Sequence, residues 1–259
     1  GHLSTCKSPQ QMLGAVVKTY FAEREEVDPG RIFSVSIMPC VAKKFEAQRP
    51  EMAPGGRADI DAVLTTRELA RMIRMRGLDL RELEGEPADT PFGERSSAGK
   101  LFGGSGGVME AALRTAHWMV TGRELDKLEV RAVRGLEGVK RARVTIDGTE
   151  LGVAVVSGLG NARRLLEEIR AGRGDLHFVE VMTCPGGCIA GGGQPIGTDL
   201  DAVRARLKAL YRIDREAATR TSHANRDVRR LYEEFLGKPL GEKSHHLLHT
   251  RYARREVML

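Results

Sequence analysis

Hydrophobic and polar positions along the chain alternate between a helical and a strand period, and the switches between them predict the elements. From Gln10 to Arg24 the apolar residues recur at helical spacing, with Met12, Ala15, Val16 and Tyr20 on one face. The run Ile32-Phe33-Ser34-Val35-Ser36-Ile37 predicts a buried strand within 31–38, and Asp61 to Leu64 a second short one. Thr65-Thr66-Arg67-Glu68 is a capping box, in which Thr65 and Glu68 satisfy orphan N–H groups at the start of a helix over 66–76. The polar, proline-containing stretch 85–99 predicts a loop. Phe102-Gly103-Gly104-Ser105-Gly106-Gly107 then opens a helix from Val108 to Thr121. Strands are expected at Leu128–Arg134, Arg143–Ile146, Leu151–Val156 and Leu176–Met182, with a helix at Asn161–Ala171 before the last of them. From Asp199 onward the pattern is helical, highly charged and rich in arginine, and no internal repeat appears. The alternation of strand and helix predicts an α/β fold.

Composition narrows the class. The 259 residues are enough for one domain or two closely joined lobes. The hydrophobic fraction of 41% is ordinary, and no apolar run approaches the ~18 residues of a membrane span. A net charge of +6 invites a nucleic-acid reading, but the basic residues are interspersed with 35 acidic ones and no aromatic-rich basic stripe is present. Neither nucleic acid nor membrane is therefore expected as a partner. The four cysteines cluster in short phrases and not in a disulfide framework, which points to a reducing, cytoplasmic setting and to metal.

The candidate chemistry sits where strands end. The stretch 180–195, EVMTCPGGCIAGGGQP, sets Cys184 and Cys188 four residues apart in backbone that is nearly all glycine. Two thiols at that spacing can face one inorganic core, and glycines let main-chain N–H groups approach its sulfurs. The bland alternative is a glycine-rich turn with two buried cysteines. Cys40 follows the 31–38 strand, so two strands each deliver a thiol to a carboxyl edge, where open α/β sheets bind ligands.

The phrases MPCVAKKFEAQRPEM (38–52) and EVMTCPGGCIAGGGQP (180–195) resemble two of the three cysteine signatures of the iron-iron (FeFe) hydrogenase catalytic domain. STCKSPQQM (4–12), LFGGSGGVMEAALR (101–114) and LYEEFLGKPLGEKSHHLLHTRY (231–252) resemble further parts of it in the same order, so the resemblance spans essentially the whole chain. It implies two lobes of mainly parallel sheet flanked by helices, the cluster in the crevice between them, and a helical C-terminal appendage. The expected domains are 1–197, the C-terminal region of the family's large subunit, and 198–259, a tail like the family's small subunit. The family's first signature, of the form Thr-Ser-Cys-Cys/Ser-Pro-x-Trp, is not in this chain. A C-terminal piece of a larger enzyme is therefore expected, with the fourth cluster ligand and a proton-relay thiol supplied by a missing N-terminal segment. Gly1-His2-Leu3 reads as mid-domain sequence.

The resemblance assigns roles. Cys40, Cys184 and Cys188 become thiolate ligands of a 4Fe-4S cubane, with Cys188 also bridging to a two-iron subsite that carries carbon monoxide and cyanide, the two together forming the H-cluster. Lys43 becomes the cation facing a cyanide; by itself it reads as an ordinary surface lysine, as Lys44 does. Met38 and Met182 each stand two residues before a ligand cysteine and would seal the subsite, or simply fill core. Ser8, Pro9 and Gln10 would form one wall of the subsite pocket, and Phe102 and Gly103 an apolar wall. Ser4 matches the family's relay serine by its 36-residue spacing to Cys40, and a hydroxyl both donates and accepts. Cys6 reads as a non-ligand. His245, His246 and His249 have zinc-like helical spacing but no supporting ligand, so packing is the expectation.

Two function classes follow. The first is a reversible oxidoreductase interconverting dihydrogen with protons and electrons, linked to ferredoxin or to NAD(P)H-linked electron-transfer subunits. The second is a hydrogenase-like iron-sulfur assembly or sensor protein without that activity.

Overall fold

The computed structural model describes residues 2–254. Gly1 and 255–259, the outer ends of the two expected domains, lie outside them. The chain forms two compact units, Gly1–Pro91 with Arg230–Leu259, and Phe92–Arg229.

The first unit begins with α1 (Pro9–Val16), continued through a wider π-type turn, Val17–Phe21, into α2 (Ala22–Arg24). Pro9 stands at the first turn, where its missing N–H costs nothing. Strand β1 (Val35–Met38) is shorter than the expected 31–38, because Pro29–Arg31 turns as a 3₁₀ helix capped by Asp28, and it is not the buried strand expected: Val35 and Ile37 are exposed while Ser36 is buried. A short helix that the sequence pattern did not announce, α3 (Ala42–Ala47), follows. Strand β2 (Ala62–Thr65) pairs parallel with β1, Met38 beside Thr65. It runs directly into α4 (Thr66–Met75), where both bonds of the capping box are present. The buried ion pair Lys7–Asp59 and the part-buried pair Lys18–Asp61, each 2.7 Å, tie the unit together.

The second unit opens with α5 (Ser97–Leu101), which begins within the last residues of the 85–99 stretch expected to be loop, and α6 (Gly107–Thr121). Leu128–Arg134 is not a strand: it holds only a 3₁₀ turn, Arg131–Val133, with Val133 inserted in the core. Strand β3 (Val139–Ile146) pairs antiparallel with β4 (Thr149–Ser157), so the sheet is mixed. After α7 (Leu159–Arg170), strand β5 (Phe178–Met182) pairs parallel with β4. One face of this sheet packs Val153 and Val155 on Met109 and Leu113 of α6; the other packs Ala154 and Val156 on Ala162 and Leu165 of α7. Helix α8 (Leu200–Glu216) places Val203 and Leu207 against Ile189.

Beneath α6 and α8 lies a buried charge network. Arg114, fully buried, bonds Glu110 at 2.5 Å and both oxygens of Asp214 at 2.9 Å; Arg134 and Arg220 complete it. The helical character expected from Asp199 onward is met by α8, α9 (Arg226–Leu231) and α10 (Glu242–Leu248). Among the described residues no helix is long and apolar enough to cross a membrane.

Candidate metal centre

In the second unit, β5 ends at Met182 and the chain turns through Cys184 into a 3₁₀ turn, Cys188–Ala190. Gly186 and Gly187 have φ of 84° and 97°, a region closed to most side chains. A Cβ on Gly187 would lie 2.6 Å from the Ser105 nitrogen and 2.8 Å from the Gly104 carbonyl carbon. Glycine is thus required there for both conformation and space. The close approach lets Ser105 N donate to Gly186 O at 3.1 Å, and Ile189 N to Gly103 O at 2.9 Å. Gly103 is therefore an anchor of the cysteine loop. Phe102, beside it, is half-buried at the end of α5.

Two inward charges hold the 103–107 turn from below. Glu180 of β5 accepts from Gly106 N and Met109 N, both at 2.7 Å, and so caps α6, where helix-end N–H groups favour a carboxylate. Lys140 of β3 donates to Ser105 O at 2.9 Å and Gly135 O at 2.8 Å. Burial pushes the Glu180 carboxyl up and the Lys140 ammonium down, while their mutual attraction and the N–H donors to Glu180 oppose this.

In the first unit, Met38 ends β1 and the half-buried Cys40 stands between that strand and α3. Lys43, in the first turn of α3, pairs with Glu46 at 2.9 Å, and the same oxygen of Glu46 accepts from Ser8 Oγ at 2.7 Å. Gln10, buried, donates to Lys43 O at 3.4 Å and accepts from Ser36 Oγ at 2.7 Å. Ser8, Gln10 and Lys43 thus belong to one network, with Pro9 between the first two. Ser4 is exposed; its Oγ accepts from Cys6 N at 3.2 Å, and its carbonyl from the Tyr252 hydroxyl at 2.8 Å. Residues 5–7 pair with 248–250, which brings the first and last resembling phrases side by side. There His249 lies 2.8 Å from Thr5 Oγ1 and stacks on His245.

The donor set fits an iron-sulfur cluster. Cys40, Cys184 and Cys188 are half-buried and outside any disulfide, thiolate is the soft ligand such clusters take, and Gly186–Gly187 seats the cysteine loop directly against the 103–105 turn. Among the described residues no three His, Cys, Asp or Glu side chains converge as they would on a single metal ion. A cubane places its thiolates on separate iron corners, so it does not demand that convergence. Sequence reasoning missed Glu46, whose i, i+3 spacing from Lys43 was the available signal, and missed Glu180 and Lys140, which sit at inward positions of their strands.

The profile of the C-terminal domain of the iron only hydrogenase large subunit matches residues 1–192, and that of the iron hydrogenase small subunit matches 200–255. The chain belongs to the iron-only hydrogenase family. This hydrogenase-family chain is 48% identical over 254 residues to the NADP-reducing hydrogenase subunit HndD of Solidesulfovibrio fructosivorans, covering 98% of itself and 43% of that relative. It is 32% identical to the cytosolic Fe-S cluster assembly factor narfl of Xenopus tropicalis, covering 97% of itself and 54% of that protein. It spans about half the length of these curated relatives. A solved apo structure of FeFe hydrogenase HydA1 from Chlamydomonas reinhardtii superposes with a TM-score of 0.82 at 42% identity, over 96% of this chain and 70% of that one. The α/β class and the hydrogenase kinship expected from the phrases are both met.

Proposed function

We propose that this chain is part of an FeFe hydrogenase catalytic domain that interconverts dihydrogen with protons and electrons. The observation that carries the reading is the Cys184–Cys188 loop, locked by its glycines onto the 103–106 turn at the carboxyl end of β5, in a chain whose profile match is hydrogenase over 192 residues. By the family resemblance, Cys40, Cys184 and Cys188 would be the thiolates that hold a 4Fe-4S cubane, with a further ligand from outside these motifs. When bound, the cubane would pass electrons singly, and a two-iron subsite bridged through Cys188 would be where dihydrogen is made or split.

The chain's own residues do the rest. Lys43 holds its ammonium in place through Glu46 and so presents a fixed cation to an anionic ligand. Met38 and Met182 supply polarizable, water-excluding thioethers at the two strand ends. Ser8, Pro9 and Gln10 form a wall stiffened by the Glu46 and Ser36 bonds, and Phe102 with Gly103 a second wall. Ser4 holds and passes a proton through its hydroxyl. Electrons would be supplied by ferredoxin or by an NAD(P)H-linked subunit; the relative HndD is itself named as a subunit of an NADP-reducing hydrogenase.

The second reading is an iron-sulfur assembly role, favoured by the 32% identity to the narfl assembly factor. Anaerobic reconstitution with iron and sulfide, followed by loading with a two-iron carbonyl-cyanide complex, separates the two. The hydrogenase reading expects retained carbonyl and cyanide infrared bands that broaden in Lys43→Met. Its turnover with reduced viologen is expected to be low from this chain alone. Cubane binding without retention of the two-iron complex would favour the assembly role, and no cubane at all would sink both.

A further inference from the structure

At the carboxyl end of β4, Ser157 is only 1% exposed, and its hydroxyl has no hydrogen-bond partner among the described residues. A buried hydroxyl left unpaired is costly, so one that stands beside a candidate site calls for a partner. The sheet register shows where it faces. Val155 stands between Lys140 on β3 and Glu180 on β5, and these three share the face packed by α6. Two residues on, Ser157 returns to that same face, directly beside Met182, the last residue of β5 before the cysteine loop. Its backbone N–H is spent on Gly138 O at 2.8 Å, its carbonyl on the Asn161 amide at 2.7 Å, and the next N–H, of Gly158, on Met182 O at 2.8 Å. Only the hydroxyl remains unused. On this face Lys140 and Glu180 hold the 104–106 turn, and the turn in turn holds the Cys184–Cys188 loop.

We infer that Ser157 is a positioning residue whose hydroxyl donates a hydrogen bond to an inorganic sulfide of the cubane bound by that loop. This rests on the functional reading above. A donor to cluster sulfur stabilises the reduced, more negative state and so raises the reduction potential.

The test uses the whole chain reconstituted anaerobically, and reads iron and sulfide per chain, the cubane's midpoint potential, and the exchangeable-proton couplings of the reduced cluster in H2O against D2O. Ser157→Ala is expected to bind the same iron, to lose one exchangeable coupling, and to weaken reduction about fivefold, where tenfold corresponds to about 59 mV for a one-electron couple. Ser157→Thr, which keeps the hydroxyl, should restore both signals. Because the hydroxyl has no protein partner, the cluster-free Ser157→Ala protein should unfold at the parent's urea midpoint or higher, which a structural role would not allow. Unchanged potential and couplings with the cubane bound overturn the inference and leave the functional reading standing. Failure of the unsubstituted chain to bind a cubane overturns both.

Discussion

Replacing Gly187 by alanine tests the link between backbone and metal site most directly. The residue sits at φ 97° and ψ −165°, a region populated essentially by glycine alone, and forcing a side chain into it costs about 1–3 kcal/mol. The new Cβ would stand 2.6 Å from Ser105 N, so the loop must lift. Lifting breaks the Ser105 N–Gly186 O and Ile189 N–Gly103 O bonds, each worth about 1 kcal/mol. The sum is about 3–5 kcal/mol, a large share of the roughly 5–15 kcal/mol that holds an ordinary domain together. The assay is urea unfolding of the cluster-free chain followed by the fluorescence of Trp118, the sequence's one tryptophan, which lies on α6 of the same unit. Iron per chain after reconstitution should fall in parallel. The control is Gly160→Ala in α7, where nothing lies within 4 Å of the added carbon; there the same change should be neutral or stabilise by up to about 1 kcal/mol. A Gly187→Ala protein within about 0.5 kcal/mol of the parent, with full iron content, would refute the reasoning.

Asp214→Asn should destabilise the second unit by about 3–5 kcal/mol, since it leaves Arg114, fully buried, without its main counter-charge; the same fluorescence titration checks it. Burial pushes the Asp214 carboxyl up, but hydrogen bonds from Arg114, Arg220 and Ser97 outweigh that and hold it well below the usual carboxylate range. A depressed folded value means stability that is complete above the unfolded value, about 4, and lost as pH falls below it, so the parent's urea midpoint should drop between about pH 4 and 2, and the Asn variant's less steeply. Thr65→Ala should cost about 1 kcal/mol by removing the cap of α4, read from the thermal midpoint. Glu68, lowered to about 2 by Lys44 and by the Thr65 backbone and side chain, should keep its half of the cap until pH falls through the range 4.5 to 2. Cys40→Ala and Cys184→Ala should each lower iron per chain, and Cys6→Ala should leave it unchanged.

What was legible in the sequence was whatever depended on neighbours. The capping box at Thr65–Glu68 was readable because its two bonds span three residues, and the cysteine loop because its glycines and thiols lie within one phrase. Pattern failed where a charge turned inward. Strand β3 was expected only from Arg143, yet it begins at Val139, because Lys140, 4% exposed, occupies a core-facing position and breaks the apolar alternation. Leu128–Arg134 alternated like a strand, but Arg134 is drawn to Glu110 at 2.8 Å and to Asp214, and Val133 enters the core with Val130 packed against it. No local signal reveals those partners, which lie 24 and 80 residues away.

The late start read for β3 and the placement of the site share a cause. Lys140 and Glu180 spoil the hydrophobic period of their strands because each is aimed at the backbone of the 103–107 turn, a segment whose carbonyls and N–H groups would otherwise be buried unpaired. Fixing that turn leaves Gly103 O and Ser105 N free to clasp the cysteine loop. The two thiols of the second unit are therefore placed both by their own glycines and by two charges on the strands that flank β4. Apolar residues at 140 and 180 would have made the strands easier to recognise, and would have left the loop without the turn that holds it.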